Sequence, residues 1–137
     1  MAACKFCQIV AGEVSAHVVL ETDAVLAFLD HRPLFPGHTL VVPKQHVDTL
    51  VELPADQLPS FFTEVQRLAR VIPGVMDATG TFVAANNVVS QSVPHLHFHV
   101  VPRRPKDGLR GFFWPRTKYQ GDLHMAETAE QIRTALR

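Results

Sequence analysis

No charge of either sign predominates: thirteen Lys and Arg stand against thirteen Asp and Glu, with eight histidines counted neutral. That balance removes the bulk electrostatic case for a nucleic acid or an anionic membrane as partner. One short basic run, Arg103, Arg104 and Lys106 with Arg110 nearby, reads as solvated surface, with phosphate contact as its alternative. No apolar run approaches the roughly 18 residues that span a bilayer. The N-terminus lacks a basic stretch followed by a long apolar core, so no signal peptide is expected and the cytoplasm is the expected location. Cysteine is scarce, with only Cys4 and Cys7. In a reducing compartment the pair stays reduced, which leaves C-x-x-C as half a zinc site or a redox pair. The redox version expects a strand before the pair, and only three residues precede Cys4.

What is present describes one globular domain, 1–137, of α+β class. Apolar residues make up 47% and charged residues 19%, a balance that supports a packed core without staples. Phe6, Ile9 and Val10 have helical spacing, and Gly12 sits where a short helix would end. Residues 17–21 and 24–29 read as strands joined by a turn at Thr22-Asp23. "HRPLFPGH" is a loop, and "HTLVVPK" a strand ended by Pro43. Leu58, Phe61, Phe62, Val65, Leu68, Ala69 and Ile72 then mark one face of the main helix. Asp56 or Ser60 supplies its N-cap, and Pro73-Gly74 kinks or ends it, with a further turn to Asp77. Residues 81–86 and "HLHFHVVP" read as two more strands. The C-terminal "AETAEQIRTALR" reads as a helix with Ile132, Ala135 and Leu136 as its packing side.

The chemistry concentrates in "SQSVPHLHFHVVPRR". In a strand, residues two apart share a face, so His95, His97 and His99 project together and Leu96, Phe98 and Val100 face the core. Two neighbouring histidines can share a zinc ion. Alternatively, a neutral imidazole held at one nitrogen can attack phosphorus while a second stabilises the phosphoryl oxygens.

"QSVPHLHFHVVPR" resembles the signature of the histidine triad (HIT) family of nucleotide-binding proteins, His-x-His-x-His followed by two apolar residues. "CKFCQIVAGEVSAHVVLETDAVLAFLD" resembles that family's N-terminal helix and first hairpin, and "FPGHTLVVPKQH" its central strand. The resemblance covers residues 4 to about 103; beyond it lies a C-terminal extension, about 104–137, whose "GFFWPRTKY" is similar to the aromatic tails of bacterial members. It implies a mostly antiparallel five-stranded sheet with one main helix, a short N-terminal helix and a C-terminal helix. It also implies a nucleotidyl hydrolase or transferase acting on phosphoramidates or dinucleoside polyphosphates. His97 matches the nucleophile that attacks the α-phosphate, forming a nucleotidyl-histidine. His99 matches a phosphate contact, His38 a further site histidine, and Ser92 a serine near the leaving group. Asp30 matches the acid that binds the ribose hydroxyls, a role suited to a carboxylate. Phe6, Ile9, Val14, Phe28, Leu29 and His31 match positions around a purine base, with core packing as the alternative for Ile9 and Val14. Asn87 and Gln91 match polar residues on the phosphate side.

The same resemblance implies a structural zinc held by Cys4, Cys7, His46 and His95, pinning the N-terminal helix to the sheet. It implies a homodimer too, for which Phe61, Phe62 and Trp114 offer apolar surface. A nucleotide-binding regulatory protein with little catalysis is the alternative function, and a zinc module without a small-molecule site is the third. One departure stands out. Asn87 reaches Gln91 through only Val88, Val89 and Ser90, where the family usually has a longer loop rich in glycine.

Overall fold

The computed structural model describes residues 4–110 and 114–137. They form two compact units, one ending at Asp107 and the other beginning at Gly108. The first unit is built on β1 (Val18–Glu21), β2 (Val25–Leu29), β3 (Thr39–Pro43), β4 (Gly80–Ala84) and β5 (Phe98–Arg103). These pair antiparallel in the order β1-β2-β3-β5-β4. A short helix α1 (Lys5–Val10) precedes the sheet, and α2 (Leu58–Val75) lies between β3 and β4. The expected α+β architecture of five antiparallel strands and three helices is the one found. The third helix, α3 (Asp122–Leu136), belongs to the second unit.

Strand alternation divides the core into two. Val25 and Ala27 of β2, Val41 of β3 and Val100 of β5 meet Phe61, Val65, Leu68 and Ile72 of α2. Leu26 and Phe28, with Leu40 and Val42, face the other way, against Phe6 and Ile9 of α1. A strand needs apolar residues at every position only when both faces are covered. All five residues of β3 are buried, as befits the centre of the sheet.

Gly12 ends α1 as expected, while the ends of α2 follow local geometry rather than the side chains expected. α1 closes with a left-handed Gly12 (φ +79°). Its N–H donates to the Ile9 carbonyl at 3.0 Å, and Glu13 N–H donates to that of Gln8 at 2.9 Å. This is the paired closure that glycine permits. Neither Asp56 nor Ser60 caps α2. The chain enters it from a 3₁₀ turn at Ala55–Gln57, already helical at Gln57, with Pro59 in the first turn where its missing N–H costs nothing. Pro73 removes the N–H that would have reached the Ala69 carbonyl, and the helix runs only two residues further, to Val75. Arg104 holds that end, its Nε donating to the Asp77 carbonyl at 2.8 Å and its guanidinium also to the Met76 carbonyl. Arg103 forms a two-pronged pair with Asp107, so this part of the basic run is structural.

Three further expectations are corrected. β5 begins at Phe98, not at His95. Pro94 offers no N–H, and the next donors leave the ladder: His95 N–H goes to the Val93 carbonyl and Leu96 N–H to that of Val47, both at 2.8 Å. Phe61 is 1% exposed and packs edge-on against Phe98, so it is core and not spare surface. Finally, α3 contains no buried residue, and Ile132 and Leu136 are exposed. Of "GFFWPRTKY", residues 111–113 lie outside the described residues, and Trp114 is exposed.

Candidate functional site

On the α1 side of the sheet lies a cavity of about 640 Å³. That is ample for a small-molecule ligand. Its apolar end is made by Phe6, Ile9, Val14, Phe28 and Leu29, the positions expected around a base. Asp30, His31, Ser92, His97 and His99 line the polar part. Lys5, Ser15, His17, Leu40 and Val93 also line it and were missed. For His17 a signal existed: it immediately precedes β1, and its carbonyl accepts Leu29 N–H at 3.0 Å, extending the hairpin to the cavity.

The hydrogen bonds fix which ring nitrogen carries each proton. His97 Nδ1 lies 2.8 Å from the His95 carbonyl, which can only accept. Nδ1 therefore holds the hydrogen in the neutral ring, and Nε2 keeps its lone pair. Leu34 N–H donates to His38 Nδ1 at 3.0 Å, so His38 bears its hydrogen on Nε2. That nitrogen is 2.9 Å from His99 Nδ1, which must accept. His99 is left with an N–H at Nε2, a donor at the polar end of the cavity. Burial, then the neighbouring His97 and His38, pushes the His99 imidazole down to about 4. His38 is also lowered by burial, against a smaller opposing pull from Asp30. His38 is 4% exposed and does not line the cavity, so it acts through His99.

Asp30 turns its Oδ1 to Arg32 N–H at 2.9 Å and its Oδ2 to His38 Nε2 at 3.7 Å. Asp30, His38 and His99 sit close enough to suggest a metal triad. The proton pattern argues otherwise. To ligate through Nε2, His38 would have to move its hydrogen onto Nδ1, where Leu34 N–H already points.

Asn87 and Gln91 are not brought to the cavity. Asn87 Oδ1 accepts Leu50 N–H at 2.9 Å. Gln91 donates to the Asp48 carbonyl at 2.5 Å and accepts from Val88 N–H at 3.2 Å. The loop they frame pays for its missing glycines: Val88 (φ +68°) and Ser90 (φ +61°) are both left-handed. A branched residue there is strained by about 1–2 kcal/mol. Val88 is exposed, so little packing is at stake. Val88→Gly is expected to raise stability by about 1 kcal/mol after the greater freedom of unfolded glycine is deducted. Thermal unfolding checks this, and a lower Tm would show that the backbone is not strained.

A second cluster unites the N-terminal cysteines with two histidines. Ligand atoms of Cys4, Cys7, His46 and His95 all lie within 4.8 Å of one another. Cys4 Sγ is 3.4 Å from His95 Nδ1, and Cys7 Sγ is 3.3 Å from His46 Nδ1 and 3.6 Å from His95 Nδ1. Zinc bonds of about 2.3 Å to sulfur and 2.0–2.1 Å to nitrogen give tetrahedral S···N edges of about 3.6 Å. The outer bonds suit the same purpose. His95 Nε2–H donates to the Pro43 carbonyl at 2.8 Å, and His46 Nε2–H to Asp48 Oδ1 at 2.8 Å. Each ring therefore aims its Nδ1 lone pair at the sulfurs, the arrangement that outer partners impose on metal-binding histidines. Burial, then Cys4, pushes the Cys7 thiol up. The bare Cys7 thiol thus resists ionising, and a dication is the species that reverses this. The donor set fits zinc. Asp48 escaped notice in the sequence, although an acid two residues after His46 was its signal.

A profile of the HIT domain matches residues 11–106. An adenosine 5'-monophosphoramidase of Candida albicans is 32% identical over 120 residues, which cover 83% of this chain and 79% of that one. Among solved structures, a member of the HIT family from Bacillus subtilis superposes with a TM-score of 0.87 at 32% identity, covering 97% of this chain and 96% of that one. A zinc-bound histidine triad family protein from Mycobacterium smegmatis does so with a TM-score of 0.74 at 36% identity, covering 96% and 97%. The matched profile contains all five strands, the main helix and the three alternating histidines, and the likeness to the Bacillus protein runs nearly end to end: this chain belongs to the HIT family.

Proposed function

We propose that the protein is a nucleotidyl hydrolase or transferase acting on purine nucleoside monophosphates joined to an amine or a phosphate. The observation that carries this reading is the His97 ring, held by Nδ1–H on the His95 carbonyl with its Nε2 lone pair at the cavity. Nε2 attacks the α-phosphorus; a bond from nitrogen to phosphorus forms as the bond to the leaving group breaks. The leaving amine or phosphate takes its proton from the medium or through Ser92. Water then attacks the same phosphorus, the histidine–phosphorus bond breaks, and the nucleoside monophosphate departs. Positive charge on the ring in the intermediate is stabilised by the carbonyl at Nδ1. His99 Nε2–H donates to a phosphoryl oxygen, and His38 keeps that ring in the required tautomer. Asp30 accepts from the ribose hydroxyls, and Phe6 and Phe28 flank the base. The likeness to the Candida adenosine 5'-monophosphoramidase supports the substrate class.

Cys4, Cys7, His46 and His95 hold zinc in this reading. Bound there, the ion supplies a structural cross-link and takes no part in phosphorus chemistry. The zinc-bound Mycobacterium relative supports the metal, and reduced cysteines suit a cytoplasmic setting. Among the described residues no helix is long and apolar enough to cross a membrane.

A homodimer formed through β4 and α2 completes the reading. β4 is the outer strand of the sheet, and a shallow groove beside it is lined by Phe62, Ala69 and Val83. Val83→Lys is expected to halve the mass measured by light scattering. A variant that stays dimeric places the interface elsewhere. The catalytic reading is tested by incubating the protein with adenosine 5'-phosphoramidate, quenching with denaturant at alkaline pH, where the histidine–phosphorus bond survives, and mapping the added mass to its residue. A nucleotidyl adduct localised to His97 is expected; nucleotide binding without adduct or turnover would favour a regulatory binding protein.

A further inference from the structure

We propose that Asp48 and Gln91 form a strut through which the Cys4/Cys7/His46/His95 site positions the loop leading to the triad, making Gln91 a positioning residue and not a nucleotide ligand. The inference rests on the zinc and nucleotide readings given under Proposed function. Asp48 is attached at both of its ends. Its carboxylate accepts from His46 Nε2–H at 2.8 Å, and its main-chain carbonyl accepts from Gln91 Nε2–H at 2.5 Å. Gln91 spends its other amide atom within its own loop, where Oε1 accepts Val88 N–H at 3.2 Å. The partners fix the amide's orientation, since a carbonyl only accepts and an N–H only donates. Both amide atoms are engaged, Nε2 through one of its two N–H groups, and Gln91 does not line the cavity.

The strut is part of a wider grip. The segment from Pro43 to Leu50 holds the segment from Asn87 to Leu96 at four places. Leu50 N–H meets the Asn87 side chain, the Asp48 carbonyl meets Gln91, the Val47 carbonyl meets Leu96 N–H, and the Pro43 carbonyl meets the His95 ring. Apart from Pro43, the last residue of β3, the contact points lie outside the strands, so no ladder sets their register there. Each carries one histidine of the metal cluster, His46 on the first and His95 on the second. Directly after Gln91 comes Ser92, which lines the cavity. The strained Val88 and Ser90 lie inside the span that Gln91 ties down. A loop without glycine has few conformations that close it, and the strut selects the one observed.

The test uses the full-length protein and two measurements. The first is zinc affinity, by competition with a chromogenic chelator and requiring no turnover. Gln91→Met keeps the length and removes both hydrogen bonds; Gln91→Ala guards against a packing artefact of the thioether. Both are expected to weaken zinc at least threefold, and Asp48→Asn about tenfold, the lower end for losing an outer partner. The second is the kinetic split on adenosine 5'-phosphoramidate with zinc saturating. Both Gln91 variants are expected to lower kcat about tenfold with KM within twofold of wild type. Zinc affinity equal to wild type in both variants overturns the strut, as does a raised KM with kcat unchanged, the signature of a nucleotide ligand. Failure of the wild-type protein to take up zinc also overturns it, while leaving turnover intact. Wild-type protein that binds zinc but turns over no nucleotide conjugate strikes the proposed function instead, and the zinc comparison still decides the strut.

Discussion

His97→Ala is expected to lower kcat for adenosine 5'-phosphoramidate by about 10⁴-fold or more, while nucleoside monophosphate binds within a few-fold of wild type. The size follows from what the side chain does. Removing the atom that forms the covalent bond removes the pathway, as in other enzymes with a covalent nucleophile. Binding is spared because Phe6, which packs edge-on against the imidazole, is also held by the rings of Phe28 and His95. Truncation also leaves the His95 carbonyl without its partner. That carbonyl sits beside a cavity wide enough for water, so the fold should tolerate the loss. Single-turnover kinetics with alkaline quench separate the steps: no adduct forms in the variant, whereas wild type accumulates or passes through it. The pH profile adds an independent reading. Burial holds His99 down to about 4, so it stays a neutral donor from about pH 5 to 8. An inflection in that range belongs to another group. Turnover of His97→Ala at the wild-type rate would remove the nucleophile from the scheme.

Much of this arrangement was legible because it depends on periodicity. β1, β2 and β3 announce themselves by branched apolar residues, and α2 by its apolar residues three and four apart. The two-faced core follows from alternation alone, which is why Leu96 and Val100 lie opposite the imidazoles. What depended on backbone hydrogen bonds outside periodic elements was not legible. That β5 starts at Phe98 reflects where Leu96 N–H finds its acceptor, on Val47, about fifty residues earlier in the chain. The start of α2 went the same way, since Gln57 enters it from a turn with no capping side chain to read. The site does not divide along this line. Phe6, Ile9 and Phe28 line the cavity from elements, Asp30, Ser92 and His97 line it from outside them, and His46 and His95 meet Cys4 and Cys7 from outside the strands. Asn87 and Gln91 sit on the loop before β5, where their side chains bond to Leu50, Asp48 and Val88 and do not line the cavity. The triad also splits: alternation puts three imidazoles on one side, but only hydrogen bonds show that His95 turns to the sulfurs while His97 and His99 turn to the cavity.

Stripping the metal is expected to lower stability more than any single core substitution outside the cluster. Three separate parts of the chain meet at the four ligands: Cys4 and Cys7 at the start of α1, His46 after β3, and His95 before β5. Few direct bonds otherwise hold α1. Its fixed partners are Phe6 against Phe28 and the histidine rings, with Ile9 beside them, and the helix is only six residues long. A helix so short has almost no stability of its own. Zinc at 1,000 times its dissociation constant adds about 4 kcal/mol to the folded state. In a chain of this length that corresponds to roughly 10–15 °C in Tm. Wild-type protein treated with a strong chelator should therefore melt at least 10 °C below the zinc-loaded form. Cys4→Ser should melt near the stripped wild type and respond weakly to added zinc, because an oxygen donor replaces one thiolate. Nucleotide affinity should fall with the metal, since Phe6 lies between Cys4 and Cys7 in the chain and forms the wall that meets both His95 and His97. Calorimetry with and without chelator, on both proteins, makes the comparison. Equal melting of loaded and stripped wild type would mean that sulfur and imidazole meet here without an ion, and α1 would then have to be held by Phe6 and Ile9 alone.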